Sequence, residues 1–198
     1  MNSNNNLLWH RIKFIALVLV FVSPFVGGWL ALYVFELKPE SANYGSLVQP
    51  VKKLQWPDLK AVSGERFENG FGRKWAFLLF IRESCSEQCQ SNIFYLRQIR
   101  TLLGRDTPRL QNVLVINGIV DSEFNAFLVD YPDLVVIENN NELLVSQFQT
   151  SNVDQVGSTP RLYLVDPDNN YMMRYPAQID HYRVLDDIKK LMKLSQIG

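Results

Sequence analysis

The chain has 198 residues, with 20 Lys and Arg against 20 Asp and Glu, two cysteines and two histidines. That balance provides no basic field for nucleic acid, and two cysteines with distant histidines do not make a zinc pattern. The length suits one globular domain plus an anchor, without internal repeats.

The Asn-rich start, residues 1–12, carries His10 and Arg11 and reads as a short cytoplasmic N-terminus. From Phe14 to Phe35 no residue is charged, a run long enough to cross a bilayer core of about 30 Å. Arg11 and Lys13 precede it while Glu36 follows at once, so the positive-inside rule puts everything after Phe35 on the far side. Bulky Tyr33-Val34-Phe35-Glu36 lacks a small-x-small cleavage site. Residues 13–35 therefore read as an uncleaved anchor rather than a removed signal. Residues 36–50, with Pro39, Ser41, Asn43, Gly45 and Ser46, have linker composition and lead to a domain over 51–198.

In that domain, Leu59-Lys60-Ala61-Val62, the turn Ser63-Gly64-Glu65 and Arg66-Phe67 predict a short irregular hairpin. Ala76 to Ile81 is an unbroken apolar run, read as a strand buried on both faces. A polar turn with Cys85-Ser86-Glu87-Gln88-Cys89 follows, then Ile93, Leu96, Ile99 and Leu103 at helical spacing. Both cysteines thus stand where a buried strand hands over to a helix. A helix starting near Cys85 would put Cys85 and Cys89 on one face, close enough for a disulfide or a shared soft metal. Its dipole would favour a thiolate, whereas Glu87 would oppose one.

Gly104 to Pro108 stops this helix, and Val113 to Asn117 predicts a second buried strand. Asp121 caps a short helix to Val129. Leu134 to Ile137 reads as a strand and Glu142 to Phe148 as a helical turn or two. Arg161 to Val165, the turn Asp166 to Asn170, and Tyr171 to Tyr175 make a hairpin, and Tyr182 to Leu194 closes the chain as a helix. Strands alternating with helices and ending in a hairpin predict an α/β sandwich, parallel in its first half and antiparallel at its end.

Gly72-Arg73-Lys74-Trp75 before the apolar run, Cys85-x-x-x-Cys89, and Leu162-Tyr163-Leu164-Val165-Asp166-Pro167-Asp168 occur in a telling order. Together they resemble the thioredoxin-like three-layer sandwich, and more narrowly the Sco/SenC family of membrane-anchored cytochrome c oxidase assembly proteins. The resemblance implies Cys85 and Cys89 as catalytic or copper-binding residues and Cu(I) as the metal. It implies a cis-proline at Pro160, after Thr159, facing the cysteines. It further implies a bacterial inner-membrane protein with a periplasmic domain. Its partners would be the copper-bearing subunit of a respiratory oxidase or other assembly factors.

By spacing, the family's metal-binding histidine position falls at Ser158, and the proline after its second cysteine is Gln90 here. The family's Asp-Thr-Pro segment is not recognisable beyond Asn117. His181 is the histidine left as a ligand candidate, since His10 belongs on the other side of the membrane. Met172 and Met173 are soft donors but, as strand neighbours, read first as packing residues. Three functions compete: an oxidase assembly factor working by thiol redox or Cu(I) handling, a general envelope thiol–disulfide oxidoreductase, and a non-catalytic membrane docking protein. No Gly-rich phosphate loop or G-x-S-x-G element occurs.

Overall fold

The structure, a computed structural model, describes residues 3–34, 43–68, 70–82, 84–138, 142–149 and 156–195. It divides into two compact units, Met1–Ala42 and Asn43–Gly198. The first holds helix α1 (Ser3–Tyr33). Within it Trp9–Leu30, 22 residues of mean hydropathy 2.0, is long and apolar enough to span a membrane. The helix starts well before residue 13, inside the expected N-terminal segment, because extending an existing helix costs far less than nucleating one. Residues 35–42, which include the first part of the expected linker, lie outside the described residues.

The second unit is built on a six-stranded sheet of order β1-β8-β7-β4-β5-β6. Its strands are β1 (Ser46–Lys53), β4 (Trp75–Ile81), β5 (Leu110–Ile116), β6 (Leu134–Glu138), β7 (Leu162–Val165) and β8 (Asn170–Arg174). β4, β5 and β6 run parallel, while β7, β8 and β1 are antiparallel, as the element order predicts. β2 (Leu59–Lys60) and β3 (Arg66–Phe67) form the small separate hairpin.

β4 is the spine, with all seven side chains buried. Period-two alternation sends Trp75, Phe77, Leu79 and Ile81 into one apolar cluster and Ala76, Leu78 and Phe80 into another. The first cluster is closed by α2 (Glu87–Leu102), α3 (Ser122–Leu128) and α5 (His181–Leu194). The second is closed by α4 (Glu142–Phe148) and the β2–β3 hairpin. This is the three-layer sandwich of the thioredoxin-like fold, with the sheet in the middle.

Each helix of the first face starts on a side-chain cap. Ser86 accepts from Cys89 N, Asp121 from Phe124 N, and Asp180 from Tyr182 N and Arg183 N.

The strand β1 corrects the expected linker over 36–50. Residues 46–53 pair with β8, so ordered structure of this unit begins before residue 51. Its side chains are almost all exposed and its register shifts between Leu47 and Lys52, around Pro50. An edge strand of this kind shows no alternation in sequence, and a proline is tolerated there because no inner donor is required. Asp187, buried in α5, accepts from Tyr44 N at 3.2 Å and Gly45 N at 2.9 Å and so fixes the approach to β1.

Candidate redox site

Cys85 and Cys89 are joined by a disulfide, with an S–S distance of 1.97 Å and Cα atoms 5.2 Å apart. They do not share a helical face, as a helix starting at Cys85 would have required. The helix begins at Glu87 because the Ser86 hydroxyl takes the N-cap role, accepting from Cys89 N at 3.3 Å. Cys85 therefore lies in the segment leading out of β4, and Cys89 in the first turn of α2.

The two sulfurs have unequal surroundings. Cys89 is 1% exposed within the core, whereas Cys85 is only partly buried against it. Glu87 stands exposed in the first turn. At Gln90, where the Sco family has its proline, the side-chain amide donates back to the Cys85 carbonyl at 3.3 Å and the backbone N–H to Ser86 O at 2.9 Å.

The pair is bracketed by two side chains that hold the Val156–Pro160 turn. Before it, Arg82 Nε donates to Val156 O at 3.0 Å, and a Cβ at Gly157 would meet Arg82 Cγ at 2.9 Å. After it, Asn92 of α2, with 0% exposure, donates to Pro160 O at 2.6 Å and to Ala177 O at 2.7 Å. Its Oδ1 accepts from Gln88 Nε2 at 3.2 Å. Neither Arg82 nor Asn92 is singled out by sequence reasoning. For Asn92 a signal exists: it is polar at a position, three after Cys89, where helical spacing demands an apolar residue.

The cis bond expected at Pro160 is corrected. Among the described residues the cis peptide bond is Gln49–Pro50, so Thr159–Pro160 is trans. With this bond trans, the Pro160 carbonyl meets Asn92 and Arg161 N donates to Thr159 O at 2.8 Å, so local bonding is satisfied. His181 opens α5 and stacks on Tyr95, with ring centroids 4.8 Å apart at 6°. Ser158, at the family's histidine position, sits exposed on the turn. Among the described residues no three His, Cys, Asp or Glu side chains gather to hold a metal. Met173 is buried in the core, where its sulfur accepts from the Tyr175 hydroxyl at 3.8 Å, and Met172 packs against the same cluster.

The family model described as transmembrane-like, thioredoxin-like, C-terminal domain matches residues 75–195. The chain belongs to that family. No curated protein matches the chain. Among solved structures, the apo Sco1 protein from Thermus thermophilus aligns at TM-score 0.56 and 18% identity, covering 78% of this chain and 99% of that one. Yeast Sco1 with copper bound aligns at 0.54 and 17%, covering 73% and 91%. A thiol:disulfide interchange protein from Bacteroides sp. aligns at 0.53 and 11%, covering 74% and 91%. At these identities the likeness is one of fold, and it bears out the thioredoxin-like, Sco-like architecture.

Chemically, the oxidised pair offers an acceptor disulfide. The reduced pair offers two thiols, one of them partly exposed. Two thiolates suit Cu(I), a soft ion that accepts few ligands, and the disulfide has no thiolate to give. Copper binding and the closed pair therefore exclude each other.

Proposed function

We propose that this protein is a membrane-anchored accessory factor in cytochrome c oxidase assembly that works by thiol redox at Cys85 and Cys89. Cu(I) handling is restricted to the reduced pair. The domain lies in the periplasm of a bacterium, with α1 in the inner membrane and its N-terminus cytoplasmic. Arg11 and Lys13 before the apolar run and Glu36 after it support that orientation.

The observation that carries the reading is the unequal burial of a bonded pair at the strand–helix junction. A partner's disulfide can reach Cys85, whereas Cys89 is covered. In the reduced protein the Cys85 thiolate attacks one sulfur of the partner's disulfide and releases that partner's first thiolate. Cys89 then attacks the Cys85 sulfur of the mixed disulfide and releases the second. The partner's disulfide is reduced and Cys85–Cys89 is oxidised. The copper-bearing oxidase subunit, whose cysteines must be thiols to take copper, is the partner that suits this chemistry.

Stable copper storage is disfavoured, because Cu(II) calls for nitrogen donors and Ser158 stands at the family's histidine position. A second reading, a general envelope thiol–disulfide oxidoreductase, draws support from the fold shared with the Bacteroides interchange protein. A docking role that needs no thiol chemistry would survive replacement of both cysteines by serine.

The test is to mix the reduced full chain, in detergent micelles, with the purified oxidised copper-bearing subunit and with an unrelated disulfide protein. Faster reduction of the oxidase subunit, with a mixed disulfide accumulating in Cys89→Ser, is the expected result. Equal rates on both substrates favour the general oxidoreductase. No reduction of either, although dithiothreitol reduces both, rejects the proposal.

A further inference from the structure

Asn92 is a fully buried amide whose donors and acceptor are all engaged. Both donated bonds leave α2. One goes to the turn before β7 and the other to the loop before α5, so one side chain fastens the cysteine-bearing helix to two separate segments of chain. The Pro160 carbonyl it holds belongs to the same turn that Arg82 holds from the β4 side. Arg82 lies three residues before Cys85 and Asn92 three after Cys89. The chain on either side of the disulfide is thus tied to a common support.

We infer that Asn92 is a positioning residue for the Cys85–Cys89 pair, and that its bonds to Pro160 O and Ala177 O set the pair's redox equilibrium. This inference rests on the thiol-redox reading above.

Closing the disulfide from two thiols depends on how often Cys89, in the first turn of α2, is held where Cys85 can reach it. That effective concentration falls when the helix is free to shift relative to the segment leaving β4. Asn92 lies one turn beyond Cys89 and opposes such a shift. Removing its amide also leaves two carbonyls without this donor, so the turn and the loop lose their tie to α2 together. The consequence falls more heavily on the oxidised protein, where the bond demands the close approach, than on the dithiol. The disulfide of an Asn92 variant is therefore easier to reduce.

The experiment equilibrates the full chain in detergent micelles with glutathione and glutathione disulfide, then reads the fraction oxidised after acid quench and alkylation. Two glutathione thiols give up their electrons to form one glutathione disulfide, and the Cys85–Cys89 bond takes them to become two thiols. Asn92→Ala is expected to raise the equilibrium constant for reduction about tenfold, equivalent to about 30 mV for this two-electron couple.

The control is Asn112→Ala. Asn112 is also buried and also bonds this helix, but its amide donates to Leu96 O at 2.9 Å, within α2, rather than to the turn or the loop. It is expected to lower thermal stability while leaving the constant within about twofold of wild type. An Asn92→Ala constant within twofold of wild type overturns the inference and leaves the thiol-redox reading standing. So does an equal change in Asn112→Ala. Should Asn92→Ala fail to fold, Gln88→Ala removes only the donor to Asn92 Oδ1, and a smaller shift of the same sign is expected. No shift there also overturns it. A wild-type pair that does not exchange at all rejects the thiol-redox reading and this inference with it.

Discussion

Cys85 precedes the Ser86 N-cap and Cys89 donates its backbone N–H to the Ser86 hydroxyl, so the disulfide straddles the start of α2. One residue between the two cysteines therefore decides where the helix begins. Ser86→Ala removes the cap, and loss of a serine cap costs about 0.5–2 kcal/mol. Denaturant unfolding of the oxidised protein is expected to show a loss in this range. An unchanged midpoint would mean that the helix start is fixed by the disulfide alone.

The unequal burial of the sulfurs has a kinetic consequence. After reduction, Cys85 is expected to react with iodoacetamide well ahead of Cys89, because access limits the inner thiol. Peptide mapping of a quenched time course reads this directly. Equal labelling, or labelling of Cys89 first, would reverse the roles assigned to attacking and resolving cysteine.

Tyr175 is 1% exposed, and its hydroxyl lies against the Asp187 carboxylate and Met173 Sδ. Burial, and next the Asp187 charge, pushes its pKa well above the usual value of about 10. The folded state therefore keeps the proton that the unfolded chain releases. The stability from the neutral phenol is fully present below about pH 10 and is lost as the pH rises beyond that. Tyr175→Phe is expected to make the alkaline fall in stability shallower above about pH 10. Part of the slope remains, because burial raises Tyr171 in the same direction. Unfolding midpoints between neutral and strongly alkaline pH provide the check, and identical slopes would count against this origin.

Much of the fold is legible in the chain because its central elements carry their burial in their composition. The β4 and β5 runs are continuous, the β7–β8 hairpin is punctuated by Asp166-Pro167-Asp168-Asn169-Asn170, and α2 and α5 show helical spacing. β1 is hidden because its pairing is backbone work with little side-chain burial. The start of α2 is displaced from Cys85 to Glu87 by a single cap.

The site is legible only in its cysteines. Thr159–Pro160 resembles the family's cis dipeptide in sequence, yet it is trans, and the bond from Asn92 to Pro160 O is not revealed by spacing. The stacking of His181 on Tyr95 is likewise invisible in the sequence. Asn92 is marked only as a polar residue on the apolar face of α2, and its partners Pro160 O and Ala177 O lie far along the chain.

The most direct measurement is the reduction potential of Cys85–Cys89 in the full chain. A thiol-redox role calls for a value in the range of working thioredoxin-fold oxidoreductases, about −120 to −270 mV, with full reversibility in glutathione or dithiothreitol buffers. A pair that stays closed until well below about −300 mV would be a structural disulfide. That result would contradict thiol exchange as the basis of this protein's function.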